Sequence, residues 1–241
     1  EPTEMYRRYW PAEAHVIGKD ILRFHTIYWP IILMALGEEL PKAIFGHPWL
    51  LSGEDKMSKS RGNVIYADDL AKMIGVDGVR YYLLAEMPYA QDGTITYERI
   101  FDRYNSDLAN TLGNLVNRSI AMTHKYFDGL LPEEMQNAEI DGELVEAART
   151  AKEEVVAKIS AFHCADAVEA VMVLARRANK YIDETTPWIL AQNEADKPSL
   201  AAVLYNLREN IRTLGELPGP VLPAKSAEIC RRINCPLARR S

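Results

Sequence analysis

Lys56-Met-Ser-Lys-Ser60, continued by Arg61-Gly62-Asn63, sets three cations and two hydroxyls in a run that begins after Gly53 and closes on Gly62. Ammonium groups and backbone N–H on such a loop can close around phosphate charge as it develops. Composition alone equally allows a solvated surface loop. Gly18-Lys-Asp20 is a second candidate, a turn that also reads as plain connection. Phe24, His25 and Trp29 follow within one helical stretch. By their spacing they read as helix core, with His25 a satisfied core histidine. Asn114 and Arg118 are four apart and share a helix face. That face lies off the Leu108/Leu112/Leu115 stripe, so it is either a solvated face or a binding face. Pro187-Trp188 reads as proline at the first helical position, followed by an indole in the core or one free to stack on a ligand.

The elements that must carry these residues come in two kinds. Up to about Tyr66, His15-Val-Ile-Gly18 and Lys42-Ala-Ile-Phe-Gly46 read as strands on either side of a helix over Leu22–Leu36. Strand, helix, strand with short connections is a parallel α/β unit. Two strands and one crossover helix make a poor core alone, so the unit belongs to a larger sheet. From Ala67 onward strand signals vanish. Ala67–Ile74 and Asp77–Glu86 read as helices split by Gly75, and Met87 to Gly93 reads as a loop. Thr96 is an N-cap opening a helix to about Phe127, with the stripe Phe101, Tyr104, Leu108, Leu112, Leu115. Further helices span about Gly142–Ala161, Ala165–Asp183 and Lys197–Leu214. The last carries Leu200, Val203, Leu204, Leu207, Ile211 and Leu214 on one face. Leu217-Pro-Gly-Pro220 precedes a short amphipathic tail. The fold class is therefore α/β plus all-α, an incomplete nucleotide-binding unit followed by an antiparallel helical bundle.

Composition narrows the classes. Among 241 residues, 48% are hydrophobic and 26% charged, which argues against a disordered or fibrous chain. The longest apolar run, Trp29–Leu36, is far short of the roughly 18 residues needed to span a bilayer. Three cysteines (Cys164, Cys230, Cys235) without a C-x-x-C pair support neither a disulfide framework nor a zinc site, and a reducing cytoplasm fits. A net charge of −6 leaves nucleic-acid binding to local patches.

The string Lys56-Met-Ser-Lys-Ser60 resembles the K-M-S-K-S signature of class I aminoacyl-tRNA synthetases. Nearly the whole chain resembles the methionyl-tRNA synthetase family. The resemblance implies that Lys59 is the main partner of the departing pyrophosphate when an amino-acid carboxylate attacks ATP, with Lys56 and Ser58 supporting the loop. It implies that Gly18 and Asp20 of G-K-D contact the adenosine ribose, and that Leu50, with His47 and Trp49, lies on the adenine side. Pro48 departs there from the usual glycine. It implies that Phe24, His25 and Trp29 belong to the methionine pocket. Asn114-Leu-Val-Asn-Arg118 and Trp188 match residues that read the CAU anticodon, where Asn and Arg bond base edges and Trp stacks an unpaired base. ATP with Mg2+ is then the substrate complex, and tRNA(Met) and methionine are partners.

The resemblance divides the chain at 1–66, the C-terminal part of a Rossmann-like catalytic domain; 67–95, a linking helical segment; 96–233, an anticodon-binding domain; and 234–241, a tail. The H-I-G-H signature is absent, and His15-Val-Ile-Gly18 is no substitute because lysine follows it on a later strand. The chain is expected to be a fragment, inactive alone, that needs the missing N-terminal half. Two rivals stand beside this reading. One is another class I synthetase; the other is a tRNA-binding module whose clamp is vestigial.

Overall fold

The computed structural model describes residues 2–53, 55–57, 62, 64–86 and 91–235. It divides into two compact units, Glu1–Val64 with Met87–Ile95, and Ile65–Glu86 with Thr96–Ser241.

In the first unit, helix α1 (Glu4–Tyr9) is capped by Thr3, whose hydroxyl accepts from the Tyr6 N–H. Strand β1 (His15–Gly18) then pairs in parallel with β2 (Ile44–His47), bringing Gly18 opposite His47. The crossover predicted over Leu22–Leu36 is helical but not uniform. A 3-10 turn (Lys19–Ile21) and a π turn (Phe24–Tyr28) precede α2 (Trp29–Leu36). Pro30 has no N–H to donate backwards, and the turn before it widens so that the Trp29 N–H reaches the Phe24 carbonyl. Gly37 ends α2 in the left-handed region at φ 72°, its N–H shared between the Leu33 and Met34 carbonyls.

Strand β3 (Leu50–Ser52) turns through Gly53, at φ 66°, into antiparallel β4 (Asp55–Lys56). A further strand, β5 (Gly93–Ile95), pairs in parallel with β3 in the register Leu50↔Gly93, Leu51↔Thr94, Ser52↔Ile95. This corrects the expectation that strand signals vanish from Ala67 onward, and it makes Gly93, read as the end of a loop, the first residue of a strand. Three residues led by glycine carry no alternation to detect, and their extended state comes from the ladder they complete.

The second unit is helical among its described residues. Helix α3 (Ala67–Ala85) breaks at Gly75, where φ 76° and ψ 161° are open to glycine alone at low cost, as the sequence predicts. The Thr96 hydroxyl accepts the Arg99 N–H at 3.2 Å and opens α4 (Tyr97–Arg103). A π-helical stretch (Tyr104–Gly113) continues it into α5 (Asn114–Phe127). The π stretch rotates the register of the stripe. Leu112 and Leu115 are buried as expected, but Ile100 and Val116 join them, while Phe101, Tyr104 and Leu108 are only half-buried. Asp107 turns inward, where it accepts the Tyr81 hydroxyl at 2.6 Å and lies 3.2 Å from Arg103 Nε. Burial, then that carboxylate, pushes the Tyr81 hydroxyl far above its ordinary pKa.

Helices α6 (Glu139–Ser160), α7 (Cys164–Thr185), α8 (Pro187–Leu190), α9 (Lys197–Glu216) and α10 (Pro223–Arg232) follow. Asp141 caps the start of α6 by accepting the Ala138 N–H at 2.8 Å and also takes the Tyr181 hydroxyl from α7. All six apolar stripe positions of α9, from Leu200 to Leu214, are buried in one core with Leu115, Leu144, Leu174 and Ile182. The period-3.6 pattern is thus a true core face. No helix among the described residues is long and apolar enough to cross a membrane.

Candidate functional site

In the first unit, β1 ends on Gly18 and the chain turns at once through Lys19 and Asp20. The Asp20 carboxylate folds back over Gly18: a Cβ there would lie 2.6 Å from Asp20 Oδ1 and 3.9 Å from the His47 ring. A methyl group cannot occupy that space unless the carboxylate moves. Gly18, Asp20 and His47 therefore meet at the C-terminal end of the β1–β2 pair, where parallel sheets present ligand sites. His47 Nδ1 is 2.9 Å from the Pro48 carbonyl, an arrangement in which Nδ1–H donates and Nε2 remains as acceptor.

The middle residue of the turn points elsewhere. The Lys19 ammonium is 2.5 Å from Asp92 Oδ1 and sits 4.3 Å from the centroid of the Trp49 ring. The same oxygen accepts the Trp49 backbone N–H at 3.0 Å, and the Gly93 N–H donates to the Trp49 carbonyl at 2.8 Å. Leu50 follows as the first residue of β3.

His25 and Trp29 belong to an aromatic cluster with two residues the sequence reading did not single out. His25 lies 6.1 Å from His15 between ring centroids, and Trp10 stands edge-on to both His15 (6.2 Å) and Trp29 (6.1 Å). His25 Nδ1 is 3.1 Å from the Ile21 carbonyl, so donation there leaves Nε2 as an acceptor. His15 Nε2 and Trp29 Nε1 are shut off from solvent with no partner among the described residues. Phe24 is not core: it is 58% exposed and packs against Tyr28 at 5.7 Å.

Of the cationic run, Lys56 is the last residue of β4. Ser58, Lys59, Ser60, Arg61 and Asn63 lie outside the described residues.

In the second unit, Asn114 opens α5 on an exposed face, and half-exposed Arg118 reaches Asp183 on α7 at 3.4 Å. Thr186 closes α7 at φ 43°, ψ 57°, a left-handed conformation that costs a β-branched residue about 1–3 kcal/mol. Pro187 is buried at the start of α8, and Trp188, next along, is 43% exposed. The core-indole reading of Trp188 is thereby excluded. Arg118 is tied to α7 five residues before Trp188.

Residues 1–120 match the family model for tRNA synthetases class I (M). Over 234 residues the chain is 51% identical to the methionine–tRNA ligase of Clostridium perfringens (strain 13 / Type A) and 48% identical to that of Clostridium tetani (strain Massachusetts / E88). Each match covers 97% of this chain and 36% of the relative. The fold superposes on Mycobacterium tuberculosis methionyl-tRNA synthetase in complex with methionyl-adenylate with a TM-score of 0.90. That match has 43% identity and covers 94% of this chain and 45% of the other. The chain is thus similar over nearly its whole length to methionyl-tRNA synthetases, and over its first half to the class I (M) family model.

It spans about a third of the length of the curated relatives it matches. The matches support similarity to methionyl-tRNA synthetases. Asp92, Lys19, Trp10 and His15 are the site neighbours that sequence reasoning passed over. Asp92 lies within a stretch read only as loop, and nothing local signals that its carboxylate is held against residue 19.

Proposed function

We propose that this chain is a segment of a methionine–tRNA ligase that activates methionine with ATP and transfers it to tRNA(Met). The observation that carries the reading is the Gly18–Asp20 turn, folded so that the Asp20 carboxylate lies directly over Gly18 at a strand end, in a chain similar over nearly its whole length to methionine–tRNA ligases. In this reading residues 1–66 are the C-terminal part of the Rossmann-like catalytic domain and 96–233 an antiparallel anticodon-binding bundle, linked by 67–95. Gly18 and Asp20 hold the ribose, Leu50 flanks the adenine, and Phe24, His25 and Trp29 form the methionine pocket. His25, its Nδ1 engaged by the Ile21 carbonyl, keeps Nε2 to hold a hydroxyl or water in place. Lys59 meets the pyrophosphate, assisted by Lys56 and Ser58, and Mg2+ accompanies the ATP phosphates. Asn114, Arg118 and Trp188 contact the anticodon. Activity is placed in the cytoplasm, where tRNA is charged.

The chain by itself gives no methionine-dependent ATP–pyrophosphate exchange. Joined in one polypeptide to the H-I-G-H half of a family member, it gives exchange driven by methionine. Exchange driven instead by leucine, isoleucine, valine or cysteine overturns the substrate assignment.

Gly18→Ala in that joined protein weakens ATP use selectively. The new methyl displaces Asp20, and loss of one ribose contact raises the KM for ATP about tenfold, equivalent to ~1.4 kcal/mol. The KM for methionine stays within about twofold. Steady-state exchange kinetics with each substrate varied check this, and equal effects on both substrates exclude a ribose role.

A further inference from the structure

We propose that Asp92 is a positioning residue that locks the ribose-binding turn to the strand leading into the cationic loop. The inference rests on the reading of Gly18–Asp20 as the ribose turn. One carboxylate oxygen, Asp92 Oδ1, takes the Lys19 ammonium at 2.5 Å and the Trp49 N–H at 3.0 Å. Lys19 lies between the two residues assigned to the ribose, so anchoring its side chain sideways stops the turn from rotating. That anchoring leaves the Asp20 carboxylate over Gly18. The Lys19 ammonium also lies over the Trp49 ring at 4.3 Å, which adds a cation–π attraction to the charged hydrogen bond.

The other half of the tie sets β3. Trp49 is held through both backbone polar groups by consecutive residues, its N–H by Asp92 and its carbonyl by the Gly93 N–H. That fixes the Leu50↔Gly93 register. From β3 the chain turns through Gly53 into β4 and Lys56, the first residue of the cationic run. Asp92 therefore joins the Gly18–Asp20 turn to the strand pair that ends at Lys56.

The Lys19 and Asp92 side chains are 38% and 27% exposed. An ion pair at that exposure adds little to folding stability. Its effect is positional, and a misplaced contact lowers turnover far more than it lowers stability.

The test uses the full-length protein carrying this chain, assayed by methionine-dependent ATP–pyrophosphate exchange alongside thermal melting. Asp92→Ala lowers kcat/KM for ATP about ten- to a hundredfold with the methionine KM nearly unchanged. Asp92→Asn keeps an acceptor for the Trp49 N–H but loses the charge for Lys19, and it falls between Ala and wild type. Lys19→Met combined with Asp92→Ala is no worse than Asp92→Ala alone, because the two changes remove one interaction. An unchanged kcat/KM for ATP in Asp92→Ala overturns the proposal. So does a loss shared equally by ATP and methionine in step with a fall in melting temperature, which would mark a purely structural contact. A wild-type protein with no methionine-dependent exchange overturns the ligase reading itself, which separates the two failures.

Discussion

Lys59→Ala in the full-length protein lowers the single-turnover rate of methionyl-adenylate formation by about 10²–10³, the usual loss for one donor aimed at developing transition-state charge. As the carboxylate attacks the α-phosphate, negative charge grows on the departing pyrophosphate. A lysine ammonium, a compact point charge, can meet that charge as it forms. Methionine affinity stays nearly constant, since the ammonium acts on the leaving group and not on the amino acid. Lys59→Arg restores only part of the rate, because the planar guanidinium replaces a compact point charge. Weakened methionine binding with an unchanged chemical step would show that Lys59 does not hold the pyrophosphate.

Trp188→Ala lowers affinity of the 241-residue chain for a CAU anticodon stem-loop by about five- to 150-fold, or ~1–3 kcal/mol of base–aromatic stacking. The expectation of a clean binding defect comes from the geometry. Pro187 is buried, and Trp188 beside it is 43% exposed. Truncating a part-exposed indole outside the buried core costs little packing, so circular dichroism keeps its helical signal and melting temperature falls only slightly. Arg118 is already oriented by Asp183 at 3.4 Å, and its loss depends on which base is presented. The Asn114→Ala loss does so too, through base-edge hydrogen bonds. The deciding comparison sets a CAU stem-loop against one with a single altered base, with wild-type and Trp188→Ala chains. Equal binding of the two stem-loops by the wild type removes the anticodon assignment from all three residues.

Much of this was legible in the letters. Lys56–Ser60 and Gly18–Asp20 are local strings, and together they carry the resemblance to methionyl-tRNA synthetases. The stripe of α9 is a period-3.6 pattern whose six members are all buried, because a helix with one apolar face has one way to hide it. Thr96 as a cap and Gly75 as a break are equally local, each answering a backbone need within a few residues.

Other features waited on the tertiary structure. Strand β5 is three residues long and acquires its extended form only by pairing with β3, some forty residues earlier in the chain. The π stretch over Tyr104–Gly113 shifts which side chains face inward, so Ile100, Val116 and Asp107 are buried against the simple stripe. A periodicity count assumes a constant turn and cannot foresee one wider turn. Asp92 lay within a stretch read only as loop, and its contact depends on Lys19 being brought to it across 73 residues. For Trp188 the sequence allowed two environments. The tertiary structure decided, because the left-handed Thr186 turns the chain so that Pro187 fills the core and the indole is left outside it.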